Sequence, residues 1–139
     1  MSAANEKSPS KAIQIAIWMA QVLLFLAFGM AGVMKSTMPI AELSKTMAWV
    51  GRLPPGLVRF IGGAELSGAL GLLLPSLTRI RPGLTPLAAA GLLTIQVLAA
   101  GHHLMNGEAS LVPINLVFGS MAAFIVWGRW KRAPITPRT

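Results

Sequence analysis

The chain has 139 residues, of which 54% are hydrophobic and only 12% charged, and its formal net charge is +8 from 12 Lys and Arg against 4 Asp and Glu. Soluble domains carry roughly 25% charged residues, so this chain has too little polar surface to cover a globule in water, and lipid is the expected solvent. Cysteine is absent, which excludes disulfide exchange, thiolate catalysis, iron–sulfur clusters, Cys-ligated zinc and c-type haem attachment.

The apolar runs predict an all-α fold, a four-transmembrane-helix antiparallel bundle with a short amphipathic segment between the first two spans. The membrane domain covers residues 12–130, between a cytoplasmic N-terminal tail, 1–11, and a basic C-terminal tail, 131–139. The first span, 12–34, holds Gln14 and Gln21 but no charge and is bounded by Lys11 and Lys35. A signal peptide competes for this run because Lys7 and Lys11 precede it, but the run exceeds the usual apolar core of 7–15 residues. Residues 36–56 follow, with Ile40, Leu43, Met47 and Val50 at helical spacing among Glu42, Lys45 and Arg52. They read as a short amphipathic helix at the outer membrane surface, the alternative being an ordered loop on the bundle mouth.

The second span, 57–77, starts after Pro54, Pro55 and Gly56 and carries Arg59 and Glu65. A proline near a helix start costs little, since its missing N–H would be unpaired there anyway. Arg79, Arg81 and Pro82 mark a tight turn into the third span, 84–105, whose polar residues are Gln96, His102 and His103. Asn106 and Gly107 are stop signals. The fourth span, 111–127, is the shortest, with Asn115 near its start and Trp127 and Trp130 at its end, where tryptophan suits an interface.

Small residues predict where helices approach in lipid. On the second span these are Gly62, Ala64, Gly68 and Gly71, with Ala64–Gly68 and Ser67–Gly71 as pairs four apart. Orientation follows from the basic residues. One side holds Lys7, Lys11, Arg79, Arg81, Arg129, Lys131, Arg132 and Arg138, and the other holds Lys35, Lys45, Arg52 and Arg59. This bias predicts cytoplasmic termini in a bacterial inner membrane. These charges sit at span ends rather than along one helix face, so they read as topology signals and anionic-lipid contacts, not as a nucleic-acid interface.

An ionisable residue inside a span is a functional candidate by default. Glu65 stands thirteen positions before Thr78, about 20 Å deep at 1.5 Å per residue. Gln96 reaches a similar level, and Lys35, His102 and Asn115 enter on the same side. Glu65, His102, Lys35, Gln96 and Asn115 therefore form the expected intramembrane polar cluster, whose catalytic role is unassigned. A carboxylate locking helices together competes with a site for a proton, a quinone oxygen or a headgroup. No metal is expected, because His102 and His103 point about 100° apart on a helix. No phosphate loop follows a strand, and no nucleophile elbow is present.

Lys35 with the preceding Gly32-Val33-Met34, the string Trp49-Val50-Gly51-Arg52-Leu53-Pro54-Pro55, the pattern Gly-x-x-Glu-Leu-x-Gly from Gly62 to Gly68, and Pro113-Ile114-Asn115 together resemble the DoxX-like family of bacterial membrane proteins. The likeness covers nearly the whole chain outside the tails. It implies a four-helix membrane bundle with Lys35, Glu65 and Asn115 at family-pattern positions. The family name derives from a quinone-linked thiosulfate oxidation system. Some relatives are associated with redox membrane complexes and distant ones with chaperone-like roles. The expected function is a non-catalytic membrane component that binds a partner protein, a lipid or a second copy of itself. A quinone-associated redox subunit, with quinone as cofactor, and a proton-coupled transporter using Glu65 stay open.

Overall fold

The computed structural model describes residues 7–139. Helix α1 spans Lys11–Thr37, and the Ser10 side chain caps it by accepting from the Ile13 N–H at 3.2 Å. Pro39 ends it, since the residue before a proline is pushed out of helical geometry. The short helix α2, Ile40–Thr46, and a 3₁₀ turn, Ala48–Arg52, fill the connection. Leu43 and Val50 point inward and pack with Val58, Met34, Met38 and Trp49. Glu42 and Lys45 pair on the exposed face. The amphipathic segment is thus helical and also seated on the bundle.

Helix α3, Pro55–Thr78, begins on a proline and ends where Arg79 turns left-handed. Helix α4 is Leu84–Met105, stopped by Asn106 and by Gly107 at φ 73°. Helix α5, Val112–Trp127, has 16 residues of its own. A 3₁₀ turn before it and a wider π turn, Gly128–Arg132, after it extend the apolar column to Ala109–Arg132, 24 residues. The shortest predicted span therefore reaches across by changing its winding at both ends. At the other extreme, α1 runs a turn beyond its apolar run, because Lys35 lies inside the bundle rather than at its edge.

The four long helices form a ring, α1 beside α3, α3 beside α4, α4 beside α5, and α5 returning to α1. Each is apolar enough and long enough to cross a membrane. Leu24, Phe28, Ala69, Leu72, Ala89, Leu92, Ala122 and Ile125 make the core. Large apolar side chains such as Met30, Phe60, Leu87, Leu98 and Leu116 face outward. In water such a surface would aggregate, whereas in lipid it is the solvated face. We call the end holding the α3–α4 turn and the C-terminal segment the terminal end, and the opposite one the far end.

Glycines set the closest crossings. A Cβ on Gly62 would stand 2.7 Å from the Lys35 Cβ and 2.8 Å from the Ser36 nitrogen, and one on Gly32 would meet the Leu66 nitrogen at 2.7 Å. Gly68 receives Leu92, and Gly71 receives Ala88. Ala64, expected at a helix contact, lines a cavity at the far end. Gly63 has open space around it. Gly62→Ala should therefore destabilise the protein by about 1–3 kcal/mol through overpacking. Gly63→Ala should stabilise it by about 0.5–1 kcal/mol by removing helix-interior glycine entropy. Thermal unfolding of both variants in detergent checks the opposite signs.

Candidate functional site

At the far end the helices separate around a cavity of about 530 Å³. Its walls come from Phe28, Ala31 and Lys35 of α1, Phe60, Ala64 and Glu65 of α3, Gln96, Ala99, His102 and His103 of α4, and Ile114, Asn115 and Phe118 of α5. Met47, Trp49 and Leu53 from the connection after α2 cover it. Phe60, Leu98 and Ile114 are also exposed on the outer surface, so the apolar part of the wall is continuous with the lipid face.

All five residues of the predicted cluster line this cavity. The structure joins them in two pairs and leaves one apart. Lys35 Nζ donates to both Glu65 oxygens at 2.8 and 2.9 Å, with both side chains almost fully buried. The lysine stem reaches Glu65 across the space that Gly62 leaves open. The Lys35 ammonium also lies 5.3 Å from the Trp49 ring centre, within cation–π range. The Lys35 carbonyl accepts from Arg59 Nη1 at 2.8 Å, which ties the end of α1 to the start of α3. On the other side Asn115 Nδ2 donates to Gln96 Oε1 at 2.9 Å, joining α5 to α4. Asn115 Oδ1 is buried with no partner among the described residues, as is His102 Nε2.

His103 is the histidine that the site engages more firmly. It is buried, its Nδ1 lies 2.8 Å from Glu108 Oε2, and its ring meets the Trp49 ring edge-on at 5.8 Å. Glu108 Oε1 accepts from Arg52 Nη1 at 2.7 Å. An ionised carboxylate only accepts, so the Nδ1 of His103 carries the shared proton. Arg52, Glu108 and His103 thus clasp the covering segment to the α4–α5 connection. The available sequence signal was spacing, because His103 lies seven residues after Gln96 and shares its helix face. Arg52 and Glu108 are 56 positions apart, and no local pattern joins them.

The polar wall offers a satisfied ion pair, two amides and two imidazoles, and no hydroxyl or thiol nucleophile lines the cavity among the described residues. Nor do three His, Cys, Asp or Glu side chains there gather to hold a metal ion. Residues 19–125 match the DoxX-like family. The chain belongs to that family. The match runs from within α1 to the end of α5 and includes every residue of both polar pairs. With its four apolar helices, this DoxX-like chain is a multi-pass integral membrane protein. No curated protein and no solved structure matches it.

Two outcomes follow for the DoxX-like site. Lys35→Met leaves a buried carboxylate without its partner and should cost about 3–5 kcal/mol, whereas Lys35→Met with Glu65→Leu removes both charges and should cost far less. Unfolding of the single and double variants in detergent measures this, and a tolerated single variant would remove the ion pair from its helix-locking role. The second outcome concerns acid. The hydrogen bond from His103 holds the Glu108 carboxyl below its ordinary value of 4.5, partial desolvation opposes this, and Arg52 and His102 add to the pull. A lowered carboxylate stabilises the fold fully above its unfolded value and loses that contribution as pH falls through the folded one. The clasp should therefore hold above pH 4.5 and release below it. Trp49 fluorescence, with Trp18, Trp127 and Trp130 replaced by Phe, should report an acid transition that Glu108→Gln abolishes.

Proposed function

We propose that this chain is a non-catalytic membrane component whose far-end cavity holds one lipophilic molecule with a polar head. One observation carries the reading: a cavity of about 530 Å³ with an outer wall open to the lipid face and buried polar atoms on Asn115 and His102 that have no partner among the described residues. Pockets for small molecules are typically 300–1,000 Å³, mostly apolar, with a few placed polar groups. A phospholipid or a quinone fits this description. A quinone carbonyl accepts a hydrogen bond, and the imidazole of His102 can supply one through Nε2 in the appropriate tautomer. Glu65 is held on both oxygens by Lys35, which supports a structural role for it over proton carriage.

The test is extraction of bound molecules from protein purified gently from its membrane, read by mass spectrometry beside an oxidised-minus-reduced spectrum. A stoichiometric lipophile that is lost in Ala99→Phe, which fills the cavity, is the expected result. Quinone in that fraction promotes the redox-subunit reading, and a single lipid class promotes lipid binding. Bulk lipid alone, unchanged by Ala99→Phe, would overturn the cavity as a site.

The same reading puts the terminal end in the cytoplasm of a bacterial cell, with the cavity towards the outer face of the inner membrane. Its support is the excess of Lys and Arg at the terminal end. The absence of cysteine makes the check direct. A cysteine at Ser110 should react with an impermeant maleimide on intact cells lacking an outer membrane barrier, and one at Ser8 should react only after lysis.

A further inference from the structure

The terminal end has its own polar centre, separate from the cavity. Arg129 is only 4% exposed. Its Nε donates to Gln21 Oε1 at 2.6 Å, and its Nη1 donates to Gln14 Oε1 at 3.1 Å and to the Ala133 carbonyl at 3.0 Å. Its Cζ lies 4.9 Å from the Trp18 ring centre. Every one of these partners is uncharged, and Nη2 has none among the described residues. Gln21 in turn donates to the Leu72 carbonyl and to Ser76, and Ser76 bonds Thr85, so the network stays neutral throughout. Among the described residues the acidic side chains are Glu42, Glu65 and Glu108, all at the far end. A buried guanidinium without a counter-charge is costly in a membrane protein and calls for an anion.

A groove of about 650 Å³ passes beside this arginine, between the α3–α4 turn and the C-terminal segment. Arg129 lines it, and Arg81 lines it from the exposed side. Leu84, Leu87 and Trp130 form an exposed apolar wall. The C-terminal segment is tied in place, since the Arg138 N–H donates to the Arg79 carbonyl at 3.0 Å. The backbone of Arg81 has φ 47°, a left-handed conformation that favours glycine. An arginine stands there all the same. The start of α4 has no side-chain cap, which adds the positive end of a helix dipole.

We infer that this groove binds the phosphate of an anionic phospholipid, with Arg81 and Arg129 on the phosphate and Leu84, Leu87 and Trp130 along the first part of the acyl chains. Guanidinium groups suit phosphate because their paired N–H donors match its oxygens. The apolar wall beside the cations, at the level where helices end and tryptophan gathers, selects a lipid over a soluble anion.

The experiment uses the full chain in detergent, titrated with mixed micelles of phosphatidylglycerol or phosphatidylcholine, or with inorganic phosphate, and followed by the thermal midpoint. Arg129 variants also lose the Gln21 and Gln14 bonds, so Arg81→Gly is the informative change: glycine suits that backbone and leaves the fold intact. Phosphatidylglycerol should raise the midpoint and phosphatidylcholine should not. Arg81→Gly should weaken the phosphatidylglycerol response about five-fold. Lys131→Gln, an exposed charge at the same end but outside the groove, should change it less than about two-fold. Equal losses in the two variants would mean diffuse surface charge, and no loss in Arg81→Gly would mean no site; either overturns the inference. An equal response to inorganic phosphate would overturn lipid as the source of the phosphate.

Discussion

Hydrocarbon offers no hydrogen-bond partner, so each polar side chain placed between these helices must find its complement on another helix. The bundle is organised around that requirement. Lys35 meets Glu65 between α1 and α3, and Gln96 meets Asn115 between α4 and α5. Both pairs sit beside a glycine of the facing helix. Gly62 leaves the space that the Lys35 stem crosses, and a Cβ on Gly119 would stand 3.6 Å from that of Gln96. Close backbone approach brings short reach, and short reach lets polar groups bond without admitting water. At the terminal end Gln21 does the same work against the Leu72 carbonyl and Ser76. The far-end cavity lies where the helices part, with the Lys35–Glu65 and Gln96–Asn115 pairs in its wall.

Much of the fold is legible because lipid demands long uninterrupted apolar runs, and prolines and charges punctuate them. Helix α4 has the bounds that hydropathy predicts, and α3 extends only slightly past them. The departures have physical causes. Charge marks Lys35 as the edge of the first span, yet the helix continues to Thr37 because Glu65 receives that charge inside the bundle. The apolar run from residue 111 is short, but 3₁₀ and π turns lengthen it, and backbone winding is invisible to a hydropathy count. Spacing by four marks Ala64 with Gly68 as a contact pair. The rotation of α3 puts Gly62, Gly68 and Gly71 against neighbours and gives Ala64 a place on the cavity wall.

The site is legible in depth but not in pairing. A constant rise per residue puts Glu65 and Gln96 at a similar depth, with Lys35, His102 and Asn115 on the same side of the membrane, and one cavity is lined by all five. Which residue bonds which depends on how each helix is turned about its axis, and apolar moments this weak leave that angle unspecified. Long-range ties escape for another reason. Arg52 with Glu108, and Arg129 with Gln21, join residues far apart in the chain. Arg129 reads as one more interfacial charge until Gln14 and Gln21, seven apart on one face of α1, are seen to receive it.

The two deep polar pairs each join helices that also pack most extensively on one another, α1 with α3 and α4 with α5. A chain inserted from its N-terminus can complete the first helical hairpin, with Lys35 already neutralised by Glu65, before α4 has left the ribosome. The second hairpin then pairs Gln96 with Asn115 on its own. Neither half has to wait in the bilayer with an orphaned charge or amide from these pairs, so the final step is the docking of two units whose deep polar groups are already matched. Arg129 depends on that last step, because its Gln21 and Gln14 partners belong to the half made first, and the Arg52–Glu108 clasp and the Ser76–Thr85 bond depend on it too.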